Sequence, residues 1–152
     1  FGFVNNPTTW VTDFIQVGFL ELRGIGVPSI TTAQYIEESY NHAVEHNCNC
    51  IDIFIVAHSQ GAAILNNALP LIADKIKPYL RIVTIGGEQF VYENSLGFII
   101  NYDSKGDIIP ELSPWNIRIQ EETIPEEEIP GHGRKHYIDY WRNNGLPKGL
   151  FR

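Results

Sequence analysis

A chain of 152 residues, 43% hydrophobic and 19% charged, is sized for one domain with a buried core and is too apolar for disorder. Its net charge of −7 offers no basic surface to phosphates, which argues against nucleic acid as a partner. No apolar run approaches the ~20 residues of a membrane helix, so no transmembrane segment is expected.

Methionine is absent, even at position 1, so the sequence reads as a piece of a longer chain. Phe1-Gly-Phe-Val4 meets Asn5-Asn6-Pro7 too soon to be a signal peptide. Cys48 and Cys50 are one residue apart and would close only a strained loop if bridged. Two free thiols are therefore expected, which tilts the expected compartment toward the reducing cytoplasm. With His46 these cysteines pack three ligand types into five residues, which lacks the usual zinc spacing. That stretch reads as a plain loop, with no metal and no cofactor expected. The oligomeric state is left open.

Phe1 to Val4 reads as a short strand running into the turn Asn5-Asn6-Pro7. From Thr8 or Thr9, the residues Val11, Phe14, Ile15, Gly18, Phe19 and Leu22 recur at helical spacing, and Gly24 suits a helix end. Gly26 to Ser29 reads as a loop. Thr31-Thr32-Ala33-Gln34 has the capping-box pattern that opens a second helix, with Ala33, Ile36, Tyr40 and Ala43 as its buried stripe. Ile51 to Ala57 is apolar on both faces apart from Asp52, as in a central parallel strand covered on both sides. A helix from Gln60 to Leu69 follows, ended or kinked by Pro70.

Leu80 to Ile85 and Phe98 to Tyr102 are two further strands, closed by Gly86-Gly87 and by Asp103 to Asp107. Between Ile108 and Pro130 the prolines and the glutamates Glu121, Glu122, Glu126, Glu127 and Glu128 suggest a loop or a flap poor in strand. Tyr137 to Asn144 reads as a last short helix before an irregular tail. Strands alternating with helices give a single α/β domain with a mainly parallel sheet and helices on both faces.

The most telling segment is Val56-Ala57-His58-Ser59-Gln60-Gly61-Ala62-Ala63, where a strand gives way at once to a small-residue helix. This is the strand–turn–helix context of a nucleophile elbow, G-x-S-x-G, with Ala57 in the first position. Small residues are expected on either side because the turn brings strand and helix backbones together. A serine hydroxyl needs a histidine to take its proton, and the histidine needs a carboxylate to hold its tautomer. On such a scaffold the partners follow in the order serine, acid, histidine.

Asp107 is the first candidate acid, with Asp103 as its rival; either is also a plausible turn aspartate. His132, between Gly131 and Gly133, is the first candidate base, and His136 the alternate. His58 is too close to Ser59 on so sharp a turn to serve as base. The Gln60 amide would face the developing oxyanion, with a second donor from Asn5, from Asn6 or from residues before Phe1.

The Ala57-to-Gly61 segment resembles the elbow of the α/β-hydrolase superfamily, particularly its bacterial lipase-like members. Gly106-Asp107-Ile108-Ile109-Pro110 resembles their acid-bearing D-x-V-P segment, and Gly131-His132 with Tyr137-Ile138 is similar to the ending around their catalytic histidine. Phe3-Val4-Asn5-Asn6-Pro7-Thr8 looks like a strand and turn that precede the elbow. The resemblance implies a truncated α/β-hydrolase-like domain, lacking the N-terminal part that carries an additional strand and oxyanion donors. It implies a serine hydrolase acting on a small-molecule or lipid ester, or a thioester. The alternative is a non-catalytic α/β module that keeps the turn as architecture, since fold does not guarantee function.

Overall fold

Three apolar runs, Ile53–His58 (β1), Leu80–Ile85 (β2) and Phe98–Ser104 (β3), pair side by side in parallel, and Glu121–Ile124 (β4) adds a fourth strand beyond β3. The sheet order is β1-β2-β3-β4. This computed structural model describes residues 25–48, 50–104, 107, 121–124 and 134–150. Helices Val27–Glu45 (α1), Gln60–Ala68 (α2) and Arg134–Asn144 (α3) complete the alternation. The α/β class and the parallel sheet are as the sequence predicts. The strand and helix expected over residues 1–24 lie outside the described residues.

Two apolar clusters lie on opposite faces of the sheet. On one face Ala33 and Ile36 of α1 and Ala62, Leu65 and Ala68 of α2 meet Ala57, Leu80 and Ile82. On the other, Val83, Ile85 and Tyr102 meet Leu150, with Tyr140 and Trp141 of α3 packed against them. The two-residue period of a strand sends Leu80 and Ile82 one way and Val83 and Ile85 the other. Strand β2 is buried at every position.

Expectation and structure part at several places. Helix α1 begins at Val27, not at the Thr31 capping box. Gly26 is its extended N-cap, and Pro28 sits in the first turn, where its preset φ helps and its missing N–H costs nothing. The expected stripe is otherwise present, as Ala33 and Ile36 are buried and Tyr40 packs against the core. The strand taken as central is β1, which is the terminal strand of the described sheet; Phe54 and Val56 on its second face are 47% and 61% exposed. Strand β4 takes Glu121 and Glu122 from the stretch Ile108 to Pro130, read as a loop or a flap poor in strand, and the rest of that stretch lies outside the described residues. Helix α3 starts at Arg134, ahead of Tyr137, and so takes in His136. Helix α2 ends at Ala68, and Pro70 sits in a 3-10 turn, Leu69–Leu71, just after it. No helix among the described residues is long and apolar enough to cross a membrane.

Polar groups inside this core make long-range ties. Arg81, buried on β2, donates to the carbonyl oxygens of Gly149 and Leu150 and sits 3.7 Å from Asp52. The C-terminal tail is thereby fastened to the sheet. Asn101 is fully buried on β3. Its Oδ1 accepts from Thr84 Oγ1 at 2.8 Å and from the Val91 amide at 3.0 Å, while its Nδ2 donates to the Val91 carbonyl at 3.2 Å. Replacing Asn101 with Leu would strand both peptide groups of Val91, at roughly 1–3 kcal/mol for each group left unpaired. Urea unfolding should register that loss as a lower midpoint.

Lys77, with little of its side chain exposed, meets Asp74 at 2.9 Å and Glu93 at 3.5 Å. Its bond to Asp74 lifts Lys77 above the ordinary value of 10.5, against the opposing effect of burial. The Ser95 hydroxyl, 2.9 Å from Glu93 Oε1, holds Glu93 below its ordinary 4.5, helped by the Ser95 amide and by Lys77. A depressed carboxylate stabilises the fold above its ordinary value and loses that contribution as pH falls through the folded value. The raised lysine contributes below 10.5 and loses its share as pH rises through its folded value. The stability gap between the native chain and Glu93→Gln should therefore be widest near neutral pH and close on acidification below 4.5, read by urea midpoints across a pH series.

Candidate functional site at the carboxyl edge of the sheet

Ser59 stands where β1 ends and α2 begins, with φ 54° and ψ −126°. A non-glycine residue rarely adopts a positive φ, and holding one costs of order 1–3 kcal/mol unless its surroundings enforce it. Here they do. The Ser59 amide donates to the Ile85 carbonyl at 3.2 Å, continuing the ladder between β1 and β2. Its carbonyl accepts from the Ala62 amide at 3.0 Å and from the Glu88 amide at 3.3 Å. The peptide groups on both sides of the serine are thus tied to its own helix and to the crossover after β2.

That crossover is shaped by two glycines. Gly86 has φ 53°, and its amide donates to the Tyr102 carbonyl at 3.0 Å. A Cβ added to Gly87 would lie 2.9 Å from Ala62 Cβ, closer than real side chains approach. The tight approach expected around Gly61 is looser: a Cβ there would meet Ala57 Cβ at 4.0 Å, an ordinary contact. The close packing falls instead between the crossover and α2.

The strand register aligns the edge. His58 pairs with Ile85, and Ile85 with Tyr102, so Ser59, Gly86 and Asp103 form the next row. Ser59 and Asp103 are two strands apart, roughly 10 Å between backbones. Asp103 is 3% exposed and Asp107 2% exposed, so both candidate acids are buried at the end of β3. Glu88, which sequence reasoning did not single out, is also 2% exposed and follows directly after β2. It too satisfies the order serine, acid, histidine. Its signal was its place just past a strand, obscured by the choice of a later strand for the acid.

Gln60 is the first residue of α2, at the end of the helix that carries partial positive charge. His58 is half-buried at the end of β1. His136 lies in the first turn of α3. His132, Asn5 and Asn6 lie outside the described residues. The described residues therefore place Ser59, Gln60, Glu88 and Asp103 along one edge, with Asp107 buried three residues past the end of β3. Comparison with protein families, with curated proteins and with solved structures gives no match. The architecture itself is that of a general α/β fold.

Gly87→Ala is expected to destabilise the chain by about 1–3 kcal/mol, because the rigid Ala62 methyl cannot move aside easily. The companion Ala62→Gly change should recover part of that loss. A double-mutant cycle by urea unfolding would measure the recovery.

Proposed function

We propose that this protein is a serine hydrolase that cleaves carboxylic esters or thioesters through an acyl-enzyme on Ser59. The observation that carries the reading is the positive-φ serine on a tight turn between a parallel strand and a helix, held by three backbone hydrogen bonds. Strain of this kind persists where the surroundings over-determine it, and it gathers at reactive sites.

In the proposed reaction the Ser59 hydroxyl attacks the acyl carbon while a histidine takes its proton. The histidine then gives that proton to the departing alcohol or thiol, and water releases the acyl group by the reverse route. His132 is the proposed base and His136 the alternate. The Gln60 amide is the proposed oxyanion donor, a role the start of α2 suits electrostatically. Asn5 is a candidate for the second donor.

Asp107 is the favoured acid. By the two-residue period, Asp103 shares its face of β3 with Asn101, whose carboxamide is committed to the crossover. On that ground Asp103 is the alternate, and Asp107, just past the strand, is proposed to orient the histidine. Small-molecule or lipid esters are the proposed substrates, on the resemblance of the serine turn to lipase-like enzymes.

A fluorophosphonate probe should label the chain once, and Ser59→Ala should abolish labelling without changing the circular dichroism. Asp107→Asn should slow labelling by about 10⁴-fold, the loss seen when the acid of such a triad is neutralised, with Asp103→Asn much milder. A folded chain that stays unlabelled would favour the non-catalytic module instead.

A further inference from the structure

One row of the sheet lies directly behind the serine turn. Ala57, Thr84 and Asn101 are cross-strand partners on β1, β2 and β3, two residues before the row of Ser59, Gly86 and Asp103. By the two-residue period both rows share a face, the one that α1 and α2 cover. Thr84 and Asn101 are both fully buried there. A hydroxyl and a carboxamide inside an apolar face cost free energy unless other polar groups answer them. The crossover after β2 does so.

The segment from Gly86 to Val91 contains no helix or strand, so its peptide groups must find partners elsewhere. The Gly86 amide donates to the Tyr102 carbonyl at 3.0 Å, and the Glu88 amide to the Ser59 carbonyl at 3.3 Å. Gln89 Oε1 accepts from Asn66 Nδ2 of α2 at 3.2 Å. Asn101 closes the far end by pairing with both the amide and the carbonyl of Val91, and the Thr84 hydroxyl fixes which way its carboxamide points.

We propose that Asn101 is a positioning residue for Ser59: its carboxamide, aimed by Thr84, holds the crossover against the serine turn and keeps Ser59 at φ 54°. The effect on rate rests on the acyl-transfer reading of Ser59; the effect on geometry rests on the backbone bonds alone. Asn101 acts through Val91 and Glu88, which are three residues apart in the crossover. With Val91 released, the crossover lifts, and the bond from the Glu88 amide to the Ser59 carbonyl goes with it. That leaves the turn with its bonds to Ile85 and Ala62. A positive φ persists at serine only where the surroundings over-determine it, so the turn relaxes toward ordinary angles. The hydroxyl and the Gln60 amide then lose their common aim, and an error of about 1 Å in such a site costs roughly 10²-fold in rate.

Fluorophosphonate labelling and amide hydrogen exchange in Asn101→Ala and Thr84→Val test this together. Thr84→Val keeps the shape of the side chain and loses the hydroxyl that aims Asn101, so it decides the matter if Asn101→Ala does not fold. Labelling rates are taken per folded chain, from circular dichroism, so that lost stability is not counted as lost positioning. Leu150→Ala, a core truncation in the cluster on the opposite face, controls for stability alone. The expected result is labelling slowed about 10- to 100-fold in Asn101→Ala, less in Thr84→Val, and not at all in Leu150→Ala. In both clamp variants the Glu88 amide should exchange faster relative to the Ile82 amide of the core. Native labelling rates in the folded clamp variants, equal slowing in Leu150→Ala, or Glu88 exchange that rises only in step with Ile82 would each overturn the proposal. A native chain that takes no label counts against the hydrolase reading, and the exchange data then decide the clamp by themselves.

Discussion

The carboxyl edge of this sheet depends on the side chain of Asn101. Parallel neighbours such as β2 and β3 need a crossover, usually one with a helix that satisfies its own backbone. The crossover here, residues 86–97, has no helix, and its middle is buried at Phe90 and Val91. Buried peptide groups need partners. Asn101 provides them, accepting from one side of Val91 and donating to the other as a neighbouring strand would. Thr84 fixes the carboxamide from the adjacent strand. One buried amide thus replaces a ladder.

The geometry at Ser59 follows from that clamp. With Val91 held down, the residues just before it pass close over the start of α2, and only glycine fits at position 87. The Glu88 amide then reaches the Ser59 carbonyl, while β2 holds the Ser59 amide through Ile85. The unfavourable φ is therefore sustained by contacts from strand β2, the crossover and helix α2. A serine with no such enclosure would relax to ordinary backbone angles, and its hydroxyl would lose its fixed direction.

What could be read from the sequence was whatever is written locally. The runs at Leu80–Ile85 and Phe98–Tyr102 announce strands by composition, and the break at His58-Ser59 announces the turn because its residues are contiguous. The start of α1 lies ahead of the Thr31 capping pattern because Gly26 serves as its extended N-cap and Pro28 fits the first turn. The ties of Asn101 to Val91, Arg81 to the tail at Gly149 and Leu150, and Gly87 to Ala62 were not legible. Each joins residues distant along the chain, and no periodicity marks such a pair.

The edge has a charge arrangement of its own. Glu88, Asp103 and Asp107 are all buried on the β2 and β3 side, whereas the first turn of α2 rises beside β1. Buried carboxylates are costly unless positive charge or hydrogen-bond donors answer them. A helix start favours negative charge by the opposite logic. Acyl transfer from serine creates both charges at once, an oxyanion near the serine and an imidazolium beyond it. On the proposed reading the first would form over the amides of α2 and the second toward the acids of β2 and β3.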